Sequence, residues 1–403
     1  MTVGNTVDIG PFSFSAIRLL VIVGVIRVVL RGERLVGKIN AMDVLVLTWA
    51  AWNLTSSVFH QPLRDALILR LGLVYNACGI YFLLRIFCQS LKDVVRLART
   101  AVILLVPVAV EMVWEKATGF NLFSLLGGVS PVPASRLGAF RAQGPFAHSI
   151  LAGTLGAVSI PLMIALWREH RVASLIGIVA CVVVIGTSTS SGPIMTAIAA
   201  IGALWMWRYR RIMHQFKWLA VLGYVVLSVV MTDPAYYVIA RIDFTGGSTG
   251  YHRARLIQAA FEHFPEWWLA GTDYTRHWMP TGVSWSPDHA DITNYYLRMG
   301  VWGGLPLMLL FMAILIKGFS FVGQGIRESA FVQSNAQFTL WALGASLFAH
   351  AVTFISVSYY DQSFVFLYMT LALISSAWSV ATTDRINVAE PVVHRHNFME
   401  SAV

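Results

Sequence analysis

The chain has 403 residues, of which 57% are hydrophobic and 12% charged, and its mean hydropathy is +0.66. This composition excludes an ordinary soluble domain and predicts an integral membrane protein. The net charge of +9 does not indicate a nucleic-acid partner, because the basic residues are spread over short connections between apolar runs, as the positive-inside rule produces.

About eleven apolar runs follow along the chain, each long enough to cross a bilayer as a helix. They are 12–30, 41–60, 66–88, 98–115, 144–167, 172–188, 192–207, 217–232, 291–316, 334–357 and 361–382. The sequence therefore predicts an all-α integral membrane fold, a single polytopic domain over 1–403 with about 11 (10–12) transmembrane helices. We expect the first run to be retained, because neither a basic segment nor a small-residue cleavage site marks it as a removable signal.

Basic residues occupy every second connection, which predicts that those connections are cytoplasmic. They are Arg31, Arg34, Lys38, Lys92, Arg96, Arg99, Arg168, Arg171, Arg208, Arg210, Arg211, Lys217, Lys317 and Arg327. Alternation places the connection 116–143, the turn Ser188–Gly192, the segment 233–290 and the turn Tyr359–Gln362 on the outer side. The segment 233–290 is thus a large external loop between transmembrane helices 8 and 9.

Arginine in an outer connection opposes this topology, so its presence there needs another explanation. A long loop can escape the rule and carry arginine only for solubility, and the alternative is an anion-binding site. The arginines to explain are Arg136, Arg141, Arg241, Arg253, Arg255 and Arg276.

The external loop contains one predicted helix, from Gly250 to about Phe264, with Ser248 or Thr249 as its cap. Arg253 lies in the apolar stripe of this helix, whereas Arg255 points to the opposite side, towards Glu262. An arginine on an apolar face usually has a specific anionic partner, so Arg253 is the strongest candidate for the anion site. The other residues of the stripe are Leu256, Ile257, Ala260, Phe261 and Phe264.

Three helices that run inward are predicted to begin at the outer face, with Gly144-Pro145-Phe146, Ser191-Gly192-Pro193 and Ser286-Pro287-Asp288 as their starts. Helix N-termini expose unpaired amides and the positive end of the dipole, so together they could receive a phosphate or diphosphate. Arg141, with Arg136 one step further back, would add fixed charge there. The planar fork of arginine suits a diphosphate because it forms paired charge-assisted hydrogen bonds.

Asp288, His289 and Asp291 crowd the predicted start of the ninth helix, and an imidazole flanked by carboxylates is typical of a general base. The competing interpretation is that Asp288 caps the helix while His289 faces water. His148 is predicted one turn into the fifth helix, where a histidine more often forms an interhelical hydrogen bond than binds a ligand.

Trp267, Trp268, Trp278 and Trp285 can stack on sugar rings, but tryptophan also populates the membrane–water interface. No Cys/His metal spacing and no nucleotide-binding motif occurs in the sequence, and the three cysteines lie in apolar runs without paired spacing. We therefore expect neither a metal nor a cofactor.

Several segments resemble, in this order, the O-antigen ligase and polysaccharide polymerase superfamily. They are Arg141-Ala-Gln-Gly-Pro-Phe-Ala-His148, then Ser188-Thr-Ser-Ser-Gly192, then His252-Arg253-Ala-Arg-Leu256 leading on to Trp268-Leu-Ala-Gly271, and lastly Asp288-His-Ala-Asp-Ile-Thr-Asn294-Tyr-Tyr-Leu297 with Gly300 and Gly303-Gly304. The resemblance covers residues 135 to 310 or so.

The resemblance implies a GT-C-like, metal-independent, inverting glycosyltransferase in the inner membrane of a bacterium, with its active site facing the periplasm. Its donor would be an oligosaccharide linked to undecaprenyl diphosphate, and its acceptor a glycan or a lipid. A chain-length regulator is a further partner that this function allows. The family's donor-binding arginines match Arg141 and Arg253, and Arg136 and Arg255 are added candidates from the loops.

The family's histidine at the end of the large loop, which activates the acceptor hydroxyl, matches His289. The usual His-Asn-x-Tyr-Leu reads Thr293-Asn294-Tyr-Tyr-Leu297 here, so Asp288, Asp291 and His252 are alternative bases. The candidates for glycan contact are Trp268, Trp278, Trp285 and His148.

Three functions remain open from the sequence. A polymerase that joins lipid-linked repeat units into exopolysaccharide or O-antigen leads, ahead of a ligase that moves finished glycan onto lipid A core. A flippase or transporter for lipid-linked oligosaccharide is the alternative of another class. A transporter should show charged or broken helices within the membrane. Arg70, Arg85 and Arg298 lie in apolar runs and therefore keep this alternative open.

Overall fold

The computed structural model describes residues 6–10, 12–35, 37–136, 138–241, 250–284, 286–328 and 334–399. The caps predicted at Ser248 or Thr249, and Trp285, lie outside these residues. The elements in chain order are β1 (Thr6–Ile9), β2 (Phe12–Ser15), α1 (Ala16–Arg31), α2 (Ala41–Ser56), α3 (Leu63–Phe87), α4 (Leu91–Thr118), β3 (Ser135–Arg136), β4 (Ala139–Phe140), α5 (Ser149–Ala165), α6 (Arg171–Thr187), α7 (Ser191–Trp205), α8 (Met213–Val230), α9 (Gly250–Glu262), α10 (Phe264–Trp267), β5 (Gly282–Val283), β6 (Ser286–Ala290), α11 (Tyr295–Glu328), α12 (Ser334–Thr353) and α13 (Ser363–Met399).

The chain is a mainly helical membrane protein, as its composition predicts, and the strands in the described part of the chain form short antiparallel hairpins. Each predicted apolar run contains one long helix. Among the described residues, five spans are long and apolar enough to cross a bilayer, namely Leu63–Phe87, Leu91–Thr118, Ser149–Arg168, Tyr295–Glu328 and Ser363–Thr382. The count of about 11 membrane crossings stays a prediction.

Helix α5 lies inside the bundle, with almost every side chain from Ser149 to Met163 buried. It packs against α6, α7 and α12. Small residues allow this close approach: a Cβ atom added to Gly156 would stand 2.9 Å from the carbonyl oxygen of Cys181 on α6. The outer helices instead expose large apolar side chains such as Leu30, Val172 and Val229, which is the surface a hydrocarbon solvent requires.

Helix α11 is broken at Gly303 and Gly304, where the backbone leaves the helical conformation. Gly304 has a φ of +73°, and a side chain there would collide with the backbone of Leu269. The amide of Leu305 donates to the carbonyl of Trp268 at 2.7 Å, on the external loop. The break therefore seats the loop directly on the backbone of α11.

The fifth helix begins later than predicted. Gly144 has a φ of +56°, which is outside the helical region, and α5 starts at Ser149. His148 is its N-cap, because the Nδ1 atom accepts a hydrogen bond of 3.1 Å from the amide of Ile150. The prediction that Gly144-Pro145-Phe146 opens the helix was therefore wrong, and so was the placement of His148 one turn inside it. The seventh helix does begin at Ser191.

The predicted start of the ninth helix at Ser286-Pro287-Asp288 was also wrong. These residues belong to β6, which pairs with β5. The helix starts at Tyr295, and the Oδ1 atom of Asn294 accepts from the amide of Leu297 at 3.0 Å. Asn294 thus fills the capping role, which excludes the interpretation of Asp288 as a helix cap.

Candidate functional site

The connections predicted to lie on the outer side meet at one end of the bundle, which we name the loop end. The amide of Ala142 donates to the carbonyl of Thr187 at 3.2 Å. The amide of Tyr295 donates to the carbonyl of Phe354 at 2.8 Å. His60 Nδ1, between α2 and α3, lies 2.5 Å from the Asp273 carboxylate of the external loop. Residues far apart in sequence are thereby gathered into one surface.

The backbone between Arg141 and α5 is held from one side by α4. The buried carboxylate of Glu115 accepts hydrogen bonds from the amides of Gln143 at 3.0 Å and Gly144 at 2.8 Å. The side-chain amide of Asn121 donates to the carbonyl of Gly144 at 2.8 Å. A carboxylate that receives two backbone amides satisfies buried donors that no helix or strand would satisfy.

The same backbone is held from the other side by the turn between α12 and α13. The buried carboxylate of Asp361 accepts from the amides of Ala147 at 3.0 Å and Ser363 at 2.9 Å. Burial raises the pKa of Asp361, and the hydrogen bonds from Ser363 and Ala147 oppose that rise. The side chain of Gln362 donates to the carbonyl of Pro145 at 2.8 Å. We name residues 143–147, fixed on both sides, the clamped segment.

Arg141 precedes the clamped segment and is partly buried. Its Nη2 atom donates to the hydroxyl of Ser190 at 2.7 Å, and Ser190 is the N-cap residue of α7. The guanidinium therefore lies at the start of α7 rather than of α5. Its Nε atom is buried and has no hydrogen-bond partner among the described residues. Burial and the positive charge of Arg136 lower the pKa of Arg141.

Arg253 lies on α9, whose predicted existence the structure confirms. Its Nε atom is buried and unpartnered, and no described residue accepts a hydrogen bond from its guanidinium. Burial and then Arg136 lower the pKa of Arg253, while the carboxylate of Asp291 raises it. Arg255 lies on the other side of the helix and pairs with Glu262 at 3.1 Å, as the helical spacing predicts.

The apolar face of α9 is narrower than predicted. Leu256 and Ala260 are buried, but Phe261 is 68% and Phe264 is 37% exposed. The helix packs through Leu256 and small residues onto the interior of the loop, and it ends at Glu262, before Phe264. The two aromatic residues consequently lie outside the contact.

Asp291 follows β6 and interacts electrostatically with three candidate residues, Arg253, His148 and Arg298. Burial and Arg141 lower the pKa of His148, and Asp291 raises it. The Nε2 atom of His252 lies 3.4 Å from the carbonyl oxygen of Asp291. The structure thus brings Arg136, Arg141 and His148 to the same loop end as His252, Arg253 and Asp291, although more than a hundred residues separate the two groups in the sequence.

The other two candidates on this strand differ from each other. The ring of His289 is partly buried, with its Nδ1 atom 2.7 Å from the hydroxyl of Ser286. Asp288 is exposed and contributes its carbonyl to a hydrogen bond of 3.0 Å from the amide of Thr275. Among the predicted bases, His289 and Asp291 face the same cavity, and Asp288 does not line it.

That cavity has a volume of about 500 Å³ and lies between the external loop and the bundle. The polar residues along its wall include His60, Asp65, Arg70, Asp273, His289, Asp291 and Arg298. The guanidinium of Arg298 lies over the ring of Trp302, with 4.9 Å between its Cζ atom and the ring centroid. No described residue accepts a hydrogen bond from it. The cavity is therefore a polar space with an unpaired cation in its wall.

A second cavity of about 280 Å³ shares Arg298 and Trp302 with the first. Its wall is rich in aromatic rings, namely Trp49, Tyr295, Tyr359, Tyr360, Phe364 and Tyr368. Aromatic faces with hydroxyl groups between them suit the apolar faces and polar edges of a sugar.

The tryptophans of the external loop differ in exposure and in their contacts. Trp278 is only 3% exposed and donates from Nε1 to the carboxylate of Glu266 at 3.0 Å, so its predicted role in stacking on sugar was wrong. Trp267 is buried too, and donates to the carbonyl of Ala260 at 2.9 Å. Trp268 is 48% exposed and keeps a free face.

Neither a protein-family model nor a curated protein sequence matches the chain.

Proposed function

We propose that the chain is a membrane glycosyltransferase that polymerises oligosaccharide repeat units, carried on undecaprenyl diphosphate, at the periplasmic face of a bacterial inner membrane. The observation that carries the proposal is Arg253, a partly buried guanidinium that feels the positive charge of Arg136 and has no hydrogen-bond acceptor among the described residues. Clustered cations at this depth are costly without an anion. The diphosphate of the donor supplies one.

The chemistry asks for charge neutralisation at the leaving group. When the glycosidic bond to the diphosphate breaks, negative charge grows on the departing oxygen, and preorganised donors at that point stabilise the transition state. Arg141 and Arg253 provide forked, permanently charged donors. The clamped segment and the start of α7 fix Arg141 in place before substrate binds, which lowers the reorganisation that the reaction requires.

The acceptor hydroxyl needs a base on the side opposite to the leaving group if the reaction inverts the anomeric centre. His289 and Asp291 line the cavity of about 500 Å³, whose size is within the range of small-molecule sites. We assign the role of general base to His289, whose ring contacts the hydroxyl of Ser286. Asp291 is the alternative base. A base of this kind contributes roughly 10² to 10⁴ in rate.

The test uses purified full-length protein in lipid nanodiscs, with undecaprenyl-diphosphate-linked repeat units as the only sugar source. A polymerase uses the same molecule as donor and acceptor, so a ladder of longer lipid-linked glycans is expected. Transfer only after lipid A core is added would replace the polymerase by a ligase. In liposomes, movement of lipid-linked sugar across the bilayer without transfer would reject the enzyme and favour a flippase.

A further inference from the structure

The external loop holds a cluster of side chains that the glycosyltransferase does not use. It consists of His263 after α9, Glu266 in α10 and His277 in the helical turn Arg276–Trp278. One ligand atom from each residue, two imidazole nitrogens and a carboxylate oxygen, lies within 4.8 Å of the others. We propose that this cluster binds one divalent transition-metal ion of the zinc class.

The donor set identifies the class of ion. Two imidazoles and one carboxylate with a remaining position for water are a recurrent ligand set for zinc, and the same nitrogen donors suit copper and nickel. Calcium and magnesium prefer oxygen donors throughout. The loop therefore selects for a borderline metal rather than for a hard one.

The two imidazoles already converge on one point. His263 Nδ1 lies 2.7 Å from the Glu266 carboxylate, and His277 Nε2 lies 2.9 Å from it. The ring centroids of His263 and His277 are 4.7 Å apart, with an angle of 89° between the planes. With metal–nitrogen bonds of about 2.0–2.1 Å, two such centroids would subtend roughly 95° at the ion, which suits neighbouring ligands. Small side-chain movements suffice to admit it.

The neighbours of the cluster fix the orientation of all three ligands. The ring of His263 stacks on Trp278 at 5.7 Å with an interplanar angle of 6°. The ring of His277 stacks on Tyr274 at 5.4 Å with an angle of 18°. Trp278 also donates to the Glu266 carboxylate at 3.0 Å, which orients it as an outer hydrogen bond orients a metal-binding carboxylate.

An ion at this point would connect the two parts of the loop that carry the candidate site. His263 directly follows the helix of Arg253. His277 belongs to a turn whose first neighbour, Thr275, bonds to Asp288 and Ala290 on the strand of His289. None of the three ligands lines the cavity of about 500 Å³, so the ion has a structural role that does not depend on the proposed function.

Full-length protein is stripped with EDTA, dialysed and titrated with zinc chloride by calorimetry. One zinc ion per chain is expected, with an increase in the thermal midpoint of unfolding. His263→Ala and His277→Ala should each weaken binding by roughly 100-fold or more. His170→Ala, at a partly exposed histidine elsewhere, is the control for non-specific binding and should leave the zinc affinity unchanged.

Glu266→Gln keeps an oxygen for the Trp278 hydrogen bond but removes the charged ligand, so it tests the site if an alanine variant does not fold. Unchanged affinity in the folded variants, or no zinc binding by the stripped wild-type chain, would overturn the proposal. Glycosyl transfer by the same EDTA-treated protein is measured separately and should continue, because the arginines need no metal. Failure of one proposal is thus distinguishable from failure of the other.

Discussion

Glu115 and Gly144 are joined by a hydrogen bond of 2.8 Å between a fully buried carboxylate and a backbone amide. The same carboxylate oxygen accepts from Gln143, two residues after Arg141. Since the amides of consecutive residues converge on one carboxylate oxygen, α4 fixes the backbone just after Arg141, where the clamped segment begins.

Glu115→Gln should loosen the clamped segment, because a neutral amide replaces the charged acceptor of two buried backbone donors. Weakening hydrogen bonds to a buried charged group costs about 1–3 kcal/mol, so the thermal midpoint should fall. The KM for the lipid-linked donor should rise because Arg141 loses its fixed position. Glu262→Gln, at an exposed carboxylate, is the matched control. A lower midpoint with an unchanged donor KM would show that Glu115 stabilises the bundle without positioning Arg141.

Arg141→Ala should reduce donor use strongly, and Arg141→Lys should restore only part of it. Lysine keeps the charge but not the fork that can bond to Ser190 and to a diphosphate oxygen together. The measurement is kcat/KM for the lipid-linked donor, and the ratio between the two variants shows how much activity lysine restores. Complete restoration by lysine would mean that charge alone matters at this position.

His289→Ala should lower kcat by roughly 10² to 10⁴ with little change in donor affinity, because a general base acts on the acceptor and not on the diphosphate. His252→Ala, whose ring only approaches the backbone of Asp291, should have the smaller effect. Donor binding measured in parallel separates the two steps. Full turnover in His289→Ala would move the base to Asp291.

Glu266→Gln should alter the pH dependence of stability in EDTA-containing buffer. Desolvation opposes the ionisation of Glu266, but hydrogen bonds from Trp278, His263 and His277 outweigh it and lower its pKa below the ordinary 4.5. A depressed folded-state pKa contributes stability that is present above the unfolded value and lost as pH falls through the folded one. Because Glu266 is largely exposed, solvent screening keeps the effect small.

The measurement is the difference in thermal midpoint between wild type and Glu266→Gln from pH 7 down to pH 3. The wild type should unfold at the higher temperature near neutral pH, and the difference should shrink as the pH falls below 4.5. A difference that grows on acidification would contradict the sign of this pKa shift.

Much of the helical framework could be predicted because long apolar runs directly indicate helices of membrane-spanning length. The opposite orientations of Arg253 and Arg255 followed from helical periodicity alone and were confirmed. Helix boundaries were less predictable: Pro145 and Pro287 each resemble a helix start, yet His148 and Asn294 are the actual caps. Proline permits a helix start without requiring one. The side chain that accepts hydrogen bonds from the first amides determines where the helix begins.

Residues that act through tertiary contacts were not predictable. Glu115 lies in an apolar run and Asp361 in a short turn, and nothing local indicates that both bind the clamped segment. Arg298 was visible as a charge in an apolar run, but its place between two cavities depends on how α11 packs. Glu266 and His277 are eleven residues apart without a regular spacing, so only the folded loop reveals their proximity.

Arg253→Ala, compared with Arg255→Ala, tests the proposed diphosphate site most directly. The measurement is release of undecaprenyl diphosphate from a lipid-linked donor by purified, folded protein. Removal of the unpaired, partly buried Arg253 should lower the rate by roughly 100-fold or more, as loss of a preorganised charge-stabilising donor does. Removal of Arg255, which pairs with Glu262 in solvent, should change it less than about threefold. Equal losses in the two variants, or wild-type release by Arg253→Ala, would contradict the assignment of Arg253 to the donor diphosphate.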